Sequence, residues 1–291
     1  MATRRPLTPA ETDAAYTAAQ VVVETHRRLS GFLRHGQTLA EIDKFVAAQL
    51  AEQGAASCFY GYKTGRKPAF MSHACLSVNE CVVHGTATYR AEPLKRGDVL
   101  KVDIGARKNG WIGDAAWTYV FGEPTPTVAK LTRAGKESLE AGVKELRPGN
   151  TYRAWARVVQ RIVERDYGFH LIQGMGGHGL LDAGGRPALH GPPYISNRLP
   201  EAGSDWADAD TPCRPGDLVA VEPMIAVGTG ELAGPSDRER RRAGVSPLEK
   251  WPEIVADGSL SVHYEHDVLI TERGPRVLTE GLERTPDIVT R

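Results

Sequence analysis

Residues 97–120 read GDVLKVDIGARKNGWIGDAAWTYV, two runs of β-branched and aromatic residues on either side of Asn109-Gly110. Asn-Gly supplies the two positive-φ positions of a type I′ turn, so the stretch predicts an antiparallel hairpin closed by a two-residue loop. A turn of that length sets the register: Lys108 faces Trp111, Gly105 faces Asp114, and Asp103 faces Ala116. Asp103 and Asp114 then fall on one face as diagonal neighbours, with Cα atoms roughly 7–8 Å apart. Leu100, Val102, Ile104, Trp111, Ala115, Trp117 and Tyr119 make the other face apolar. Two carboxylates converging on a core-packed sheet repel each other and resist desolvation unless a cation lies between them. A divalent metal ion meets that need. From the hairpin alone, a solvated aspartate at a strand end meets it equally well.

The rest of the chain supplies partners for this hairpin. Thr8-Pro9-Ala10-Glu11 and Thr38-Leu39-Ala40-Glu41 are helix starts; the first predicts a long helix ending before Gly36, the second a helix running to about Glu52. Ala74 to Val78 reads as a strand, followed by Asn79-Glu-Cys-Val-Val-His84-Gly85. Helices are expected again over residues 127–146 and 151–166, broken at Pro148-Gly149. Gly174-Met-Gly-Gly-His178-Gly179 reads as a glycine-dense turn around a histidine. Past a long irregular stretch, Pro215 to Met224 and Leu260 to Ile270 each read as a strand.

Comparing the chain with itself adds the decisive constraint. Arg96-Gly-Asp-Val-Leu-Lys-Val-Asp103 aligns with Pro215-Gly-Asp-Leu-Val-Ala-Val-Glu222, and Leu33-Arg-His-Gly-Gln-Thr38 aligns with Leu146-Arg-Pro-Gly-Asn-Thr151. A unit of two helices followed by strands thus occurs twice, at a period too long for a solenoid. Two related halves, about 8–120 and 127–275, would form one domain spanning 1–291 and bring carboxylates from both to a central site. Helix pairs and hairpins together predict an α+β fold, with helices backing a curved, mostly antiparallel sheet.

The acids and histidines on expected strands or glycine turns are Asp103, Asp114, His178, Glu222 and Glu265. Four carboxylates and one imidazole suit Mn²⁺, Fe²⁺, Co²⁺ or Zn²⁺ and not a thiolate-type structural zinc site. Four negative charges around two divalent ions sum to zero, which limits the electrostatic penalty of burial. His263 shares the face of Glu265 by strand parity, and His266 the opposite face.

These residues carry a resemblance. VDIG with an aspartate further along, GHG, VEPM and YEHD, in this order, resemble the metal-ligand motifs of the methionine aminopeptidases and of the wider pita-bread peptidase fold, over residues 9–279. NECVVHG matches the aminopeptidase pattern in particular, and the short distance from His178 to Glu222 leaves no room for the insertion of the type II enzymes, so type I is indicated. The resemblance implies two divalent metal ions. Asp103 and Asp114 would share one, His178 would bind the other, and Glu222 and Glu265 would bridge or complete both. Glu222 would also move the proton of an attacking, metal-bridging hydroxide, and His84 would contact the nitrogen side of the scissile peptide. His190, in Leu189-His-Gly-Pro-Pro, stands where the family carries the histidine that touches the substrate carbonyl. Five extra residues precede it, and Gly191-Pro192 replaces the usual acidic pair. Tyr62, Cys75 and Trp251 match the methionine pocket, with Tyr60 as an alternative to Tyr62; such a pocket suits a flexible thioether.

The implied substrate is the N-terminus of a peptide or nascent protein bearing an initiator methionine and a small second residue. Ribosome association is left open, and a monomer is expected. An X-Pro aminopeptidase or dipeptidase of the same fold is less favoured because such enzymes carry an extra N-terminal domain. A non-catalytic binding protein of this fold is less favoured because all five ligand positions are filled. Equal numbers of basic and acidic residues argue against a nucleic-acid partner or an anionic membrane, and the basic run at 237–242 is interleaved with acids, as in a solvated loop. The N-terminus lacks a signal peptide's apolar core, and Cys58, Cys75, Cys81 and Cys213 lack metal-site spacing. The expected location is the cytoplasm.

Overall fold

A computed structural model describes residues 5–65, 67–200, 206–232 and 250–291; the basic run at 237–242 lies outside them. In chain order the helices are α1 (Pro9–Phe32), α2 (Leu39–Glu52), α3 (Pro126–Val143) and α4 (Tyr152–Gln160). The strands of the first half are β1 (Ala56–Ser57), β2 (Cys75–Val78), β3 (Cys81–Val83), β4 (Val99–Lys108) and β5 (Trp111–Phe121). Those that follow are β6 (His170–Leu171), β7 (Gly176–Leu181), β8 (Pro187–Ser196), β9 (Leu218–Val221), β10 (Met224–Ala226), β11 (Glu253–Ile254), β12 (Ser261–His263), β13 (His266–Thr271), β14 (Gly274–Val277) and β15 (Ile288–Val289).

The hairpin forms in the expected register: Lys108 pairs with Trp111, Gly105 with Asp114 and Asp103 with Ala116. Asn109 and Gly110 take φ of 51° and 83°, as a type I′ turn demands. Both early helices open on complete capping boxes, Thr8 with Glu11 and Thr38 with Glu41. The third helix begins at Pro126 rather than Thr127, because the Thr125 hydroxyl accepts from Val128 N and proline fits the first helical position. The fourth runs as an α-helix only to Gln160 and continues as a π-helical turn over Arg161–Asp166.

Two five-stranded sheets result. One has the order β1-β4-β5-β15 with β2 also on β4, and the other β14-β13-β9-β7-β8. Helix α1 lies directly on the hairpin: a Cβ at Gly113 would come within 2.4 Å of Ala18 O. The main core gathers Val22, Leu29, Ile42, Leu100, Val102, Trp117, Trp155 and Val221, all nearly solvent-free. At about 25 cal/mol per Å² this burial is the main favourable contribution to folding.

Two expectations change. The run expected as one strand over residues 260–270 is broken at Tyr264-Glu265: β12 pairs with β10, whereas β13 pairs with β9. Pro215 to Met224 likewise divides at Glu222-Pro223 into β9 and β10. Both glutamates therefore sit where the chain crosses between sheets, freed from regular pairing. His178 stands within β7 rather than in a turn, with Ala220 on one side and Tyr194 on the other. The glycines around it permit close strand approach: Cβ atoms at Gly176, Gly177 and Gly179 would lie 2.3, 2.2 and 2.1 Å from carbonyl oxygens of neighbouring strands.

Candidate metal centre

The two halves meet on the aspartate face of the hairpin. Glu265 N donates to Ala116 O at 3.0 Å, directly across from Asp103, and Asp114 N donates to Asp267 Oδ2 at 2.8 Å. The Thr118 hydroxyl donates to His263 O at 2.7 Å. These bonds staple β12, β13 and the turn between them to the first sheet. They bring Asp103, Asp114, His178, Glu222 and Glu265 to the wall of one cavity of about 480 Å³.

Asp103, Asp114, Glu222, Glu265 and Asp267 are all buried. Among the described residues no lysine or arginine pairs with any of them; the nearby nitrogens belong to His178 and His263. Burial, and then the charge of Glu222, push the Asp103 carboxyl up to about 8. Burial first and neighbouring carboxylates second hold Asp114, Glu222 and Glu265 well above the usual range. Oδ1 of Asp103 and Oδ1 of Asp114 are buried without a hydrogen-bond partner. Such a cluster demands protons or a metal cation.

The tautomer of His178 shows what the site offers a cation. Its Nδ1 lies 3.3 Å from Gly179 O, and a carbonyl only accepts, so the proton is on Nδ1. The bare Nε2 then faces Glu222 Oε1 at 3.7 Å and Asp114 Oδ2 at 3.9 Å. Burial lowers the His178 imidazole to about 3, so it stays neutral, with the Nε2 lone pair facing the carboxyl groups. A lone pair among carboxylate oxygens, with the other ring nitrogen on a backbone carbonyl, is the arrangement of a metal ligand. Donor atoms of Asp114, His178 and Glu265 lie within 4.8 Å of one another, as do those of Glu222, His263 and Glu265. The two sets share Glu265. The residues present therefore fit divalent cations held by carboxylate oxygens and imidazole nitrogen.

Other residues surround this centre. His263 Nε2 lies 3.1 Å from Glu222 Oε2, while His266 turns away to the Thr279 hydroxyl at 2.8 Å. His84 lines the cavity with Nδ1 unpartnered, at a φ of 60°, and burial lowers its imidazole to about 3. Backbone in that region is strained for a residue with a side chain, a cost met most often at functional sites. Tyr62, Cys75 and Trp251 line the same cavity with Phe59 and Phe70, and Trp251 Nε1 donates to Pro68 O at 3.0 Å. Tyr60 instead stacks on His73 at 4.6 Å and is 51% exposed.

His190 also lines the cavity, its ring centroid 4.5 Å from that of His178, and burial of the ring lowers its pKa. Sequence reading missed two features. Asp267 was legible, since it follows Glu265 by two residues and so shares its face. The bond between Tyr62 OH and His190 Nδ1, at 2.6 Å, joins residues 128 apart in sequence with no local signal.

Comparisons with known proteins agree with this geometry. The sequence pattern of metallopeptidase family M24 matches residues 14–272. Methionine aminopeptidase 1 of Bacillus subtilis (strain 168) is 32% identical over 275 residues, covering 94% of this chain and 97% of the relative. The crystal structure of methionine aminopeptidase from Thermotoga maritima superposes with a TM-score of 0.79 at 30% identity, over 95% of this chain and 99% of that one. The X-Pro aminopeptidase of the same organism shares the fold, with a TM-score of 0.68 at 20% identity, but this chain covers only 63% of it. The α+β architecture is accordingly the pita-bread fold, and the cofactor is a divalent metal. The chain belongs to metallopeptidase family M24 and, within it, to the methionine aminopeptidases.

Proposed function

We propose that the protein removes the initiator methionine from peptides and nascent chains with a small second residue, using two divalent cations of the Mn, Fe, Co or Zn class. One observation carries the reading: four buried carboxyls and a bare imidazole nitrogen converge at the wall of an apolar, aromatic cavity. Asp103, Asp114, His178, Glu222 and Glu265 are the ligands in this reading. When bound, the ions supply Lewis acidity, making water a nucleophile at neutral pH and polarising the scissile carbonyl.

The chain's own residues do the rest. Tyr62, Cys75 and Trp251, with Phe59 and Phe70, receive the methionine side chain and exclude water from it. With Asp267 counted, five buried carboxyls exceed the charge of two divalent ions by one when all are ionised, which favours the substrate's α-ammonium. Glu222 takes the proton of the attacking water and returns it to the leaving nitrogen. His263, hydrogen-bonded to Glu222 Oε2, holds that carboxyl in place. His84 contacts the nitrogen side of the scissile peptide, and His190 donates to the carbonyl oxygen as charge develops there.

All five ligands come from a single chain, which supports action as a monomer. The four cysteines are unpaired, in keeping with a reducing cytoplasm, and no helix among the described residues is long and apolar enough to cross a membrane.

The test is release of methionine by the metal-loaded enzyme from a Met-X-Ser panel, run beside an X-Pro panel. Turnover is expected for X = Ala, Gly or Ser, to fall sharply for large X, and to vanish with chelator. Preferential cleavage of the X-Pro panel would replace this reading with the dipeptidase alternative.

A further inference from the structure

The bond between Tyr62 and His190 changes what Tyr62 does. Tyr62 sits in a loop braced by backbone bonds from Tyr62 N to Phe59 O and from Phe70 N to Tyr62 O, both 2.8 Å. His190 sits on β8, held against β7 through the Gly179–Gly191 pair. At 2.6 Å, the phenol oxygen and the imidazole Nδ1 meet across the cavity, with the rings edge to face.

The direction of that bond follows from the chemistry of the two groups. The phenol O–H is a stronger acid than a neutral imidazole N–H, and a bare imidazole nitrogen a stronger base than a phenol oxygen, so at 2.6 Å the phenolic proton is directed at Nδ1. Nδ1 is then the acceptor, and a neutral ring carries its remaining proton on Nε2. The hydrogen bond thus runs from Tyr62 to His190. It leaves a single N–H on His190 to offer within the cavity.

We infer that Tyr62 is a positioning residue: its phenol fixes the ring orientation and tautomer of His190, so that an Nε2–H meets the substrate carbonyl oxygen as negative charge develops. The inference rests on the role given to His190 under the proposed function. It assigns Tyr62 a part beyond lining the methionine pocket. In the absence of the phenol, the ring divides between two tautomers and two orientations, only some of which present a donor.

Tyr62→Phe tests this, because it keeps the ring in the pocket and removes only the hydroxyl. On a Met-Ala-Ser peptide, Tyr62→Phe is expected to lower kcat about tenfold, a fraction of the loss on removing an oxyanion donor outright, with KM within about twofold. Added to His190→Ala, it should cause little further loss. Nitrogen-15 spectra of the Zn²⁺-loaded enzyme, with the His190 signals identified from His190→Gln, are expected to show an unprotonated, hydrogen-bonded Nδ1 in the wild type and mixed tautomers in Tyr62→Phe. A wild-type Nδ1 that carries the proton, or a Tyr62→Phe effect confined to KM, overturns the inference. If the wild type fails to release methionine, the functional reading falls instead, and the spectra still decide the tautomer.

Discussion

Asp103→Asn and His178→Ala should each abolish release of methionine from a Met-Ala-Ser peptide while the protein melts near the wild-type temperature. Even partners outside the ligand shell of a metal typically change affinity or activity 10–100-fold, so loss of a ligand is expected to lower kcat/KM by at least ~100-fold. The fold should survive because neither side chain holds the sheets together. Asp103 Oδ1 has no partner, and the bonds joining the halves run through Ala116 O, Asp114 N and Thr118. Asp103→Asn also removes one of several mutually repelling acids, so without metal it should be no less stable than the wild type. Full activity in either purified, metal-loaded variant contradicts the assignment.

The second large effect is on the metal-free protein, whose stability should fall as pH rises from 6.5 to 8. Asp103 is raised to about 8, and Asp114, Glu222 and Glu265 stand well above their ordinary values, so the folded state keeps protons that the unfolded chain has lost. Stability carried by a raised carboxyl is complete below its unfolded pKa and disappears as pH climbs through the folded one. Buried histidines act in the opposite sense lower down. His84, His178 and His263, lowered to about 3, are charged only in the unfolded chain below about 6.5, so their contribution rises with pH up to that point and is then constant. Above pH 6.5 the acids are opposed by Lys101, whose ammonium is lowered by burial to about 7 and which therefore adds stability as pH rises past 7; several raised carboxyls against one lysine leave a net fall. Each retained proton changes stability by about 1.4 kcal/mol per pH unit; a net excess of one such proton lowers the melting temperature by roughly 5 °C across the window, and the several acids set against Lys101 make that the smallest drop expected. Divalent metal displaces those protons and should flatten the profile. A metal-free protein whose melting temperature is constant or rises from pH 6.5 to 8 contradicts the description of the site.

What could be read from the sequence depended on whether its signal was local. The hairpin register followed from Asn109-Gly110 because a two-residue turn leaves no slack. The first two helices announced themselves through capping boxes, whose residues lie three apart. The repeated glycine-to-acid spacing links Asp103 with Glu222 within the sequence itself. The placement of His178 was misread because glycines that permit close strand approach and glycines that make turns leave the same mark in sequence. Strand β8 was missed for a related reason: Gly191-Pro192-Pro193 lacks the alternation by which strands are recognised. The breaks at Glu222-Pro223 and Tyr264-Glu265 arise from pairing with two different sheets, a property of the assembled fold.

The most direct measurement is anomalous diffraction from crystals grown with Mn²⁺. Two peaks are expected in the cavity, about 3.5–4 Å apart, with carboxylate oxygens of Asp103, Asp114, Glu222 and Glu265 and Nε2 of His178 at about 2.0–2.3 Å. An empty cavity, or metal bound only by residues outside this set, would contradict the account.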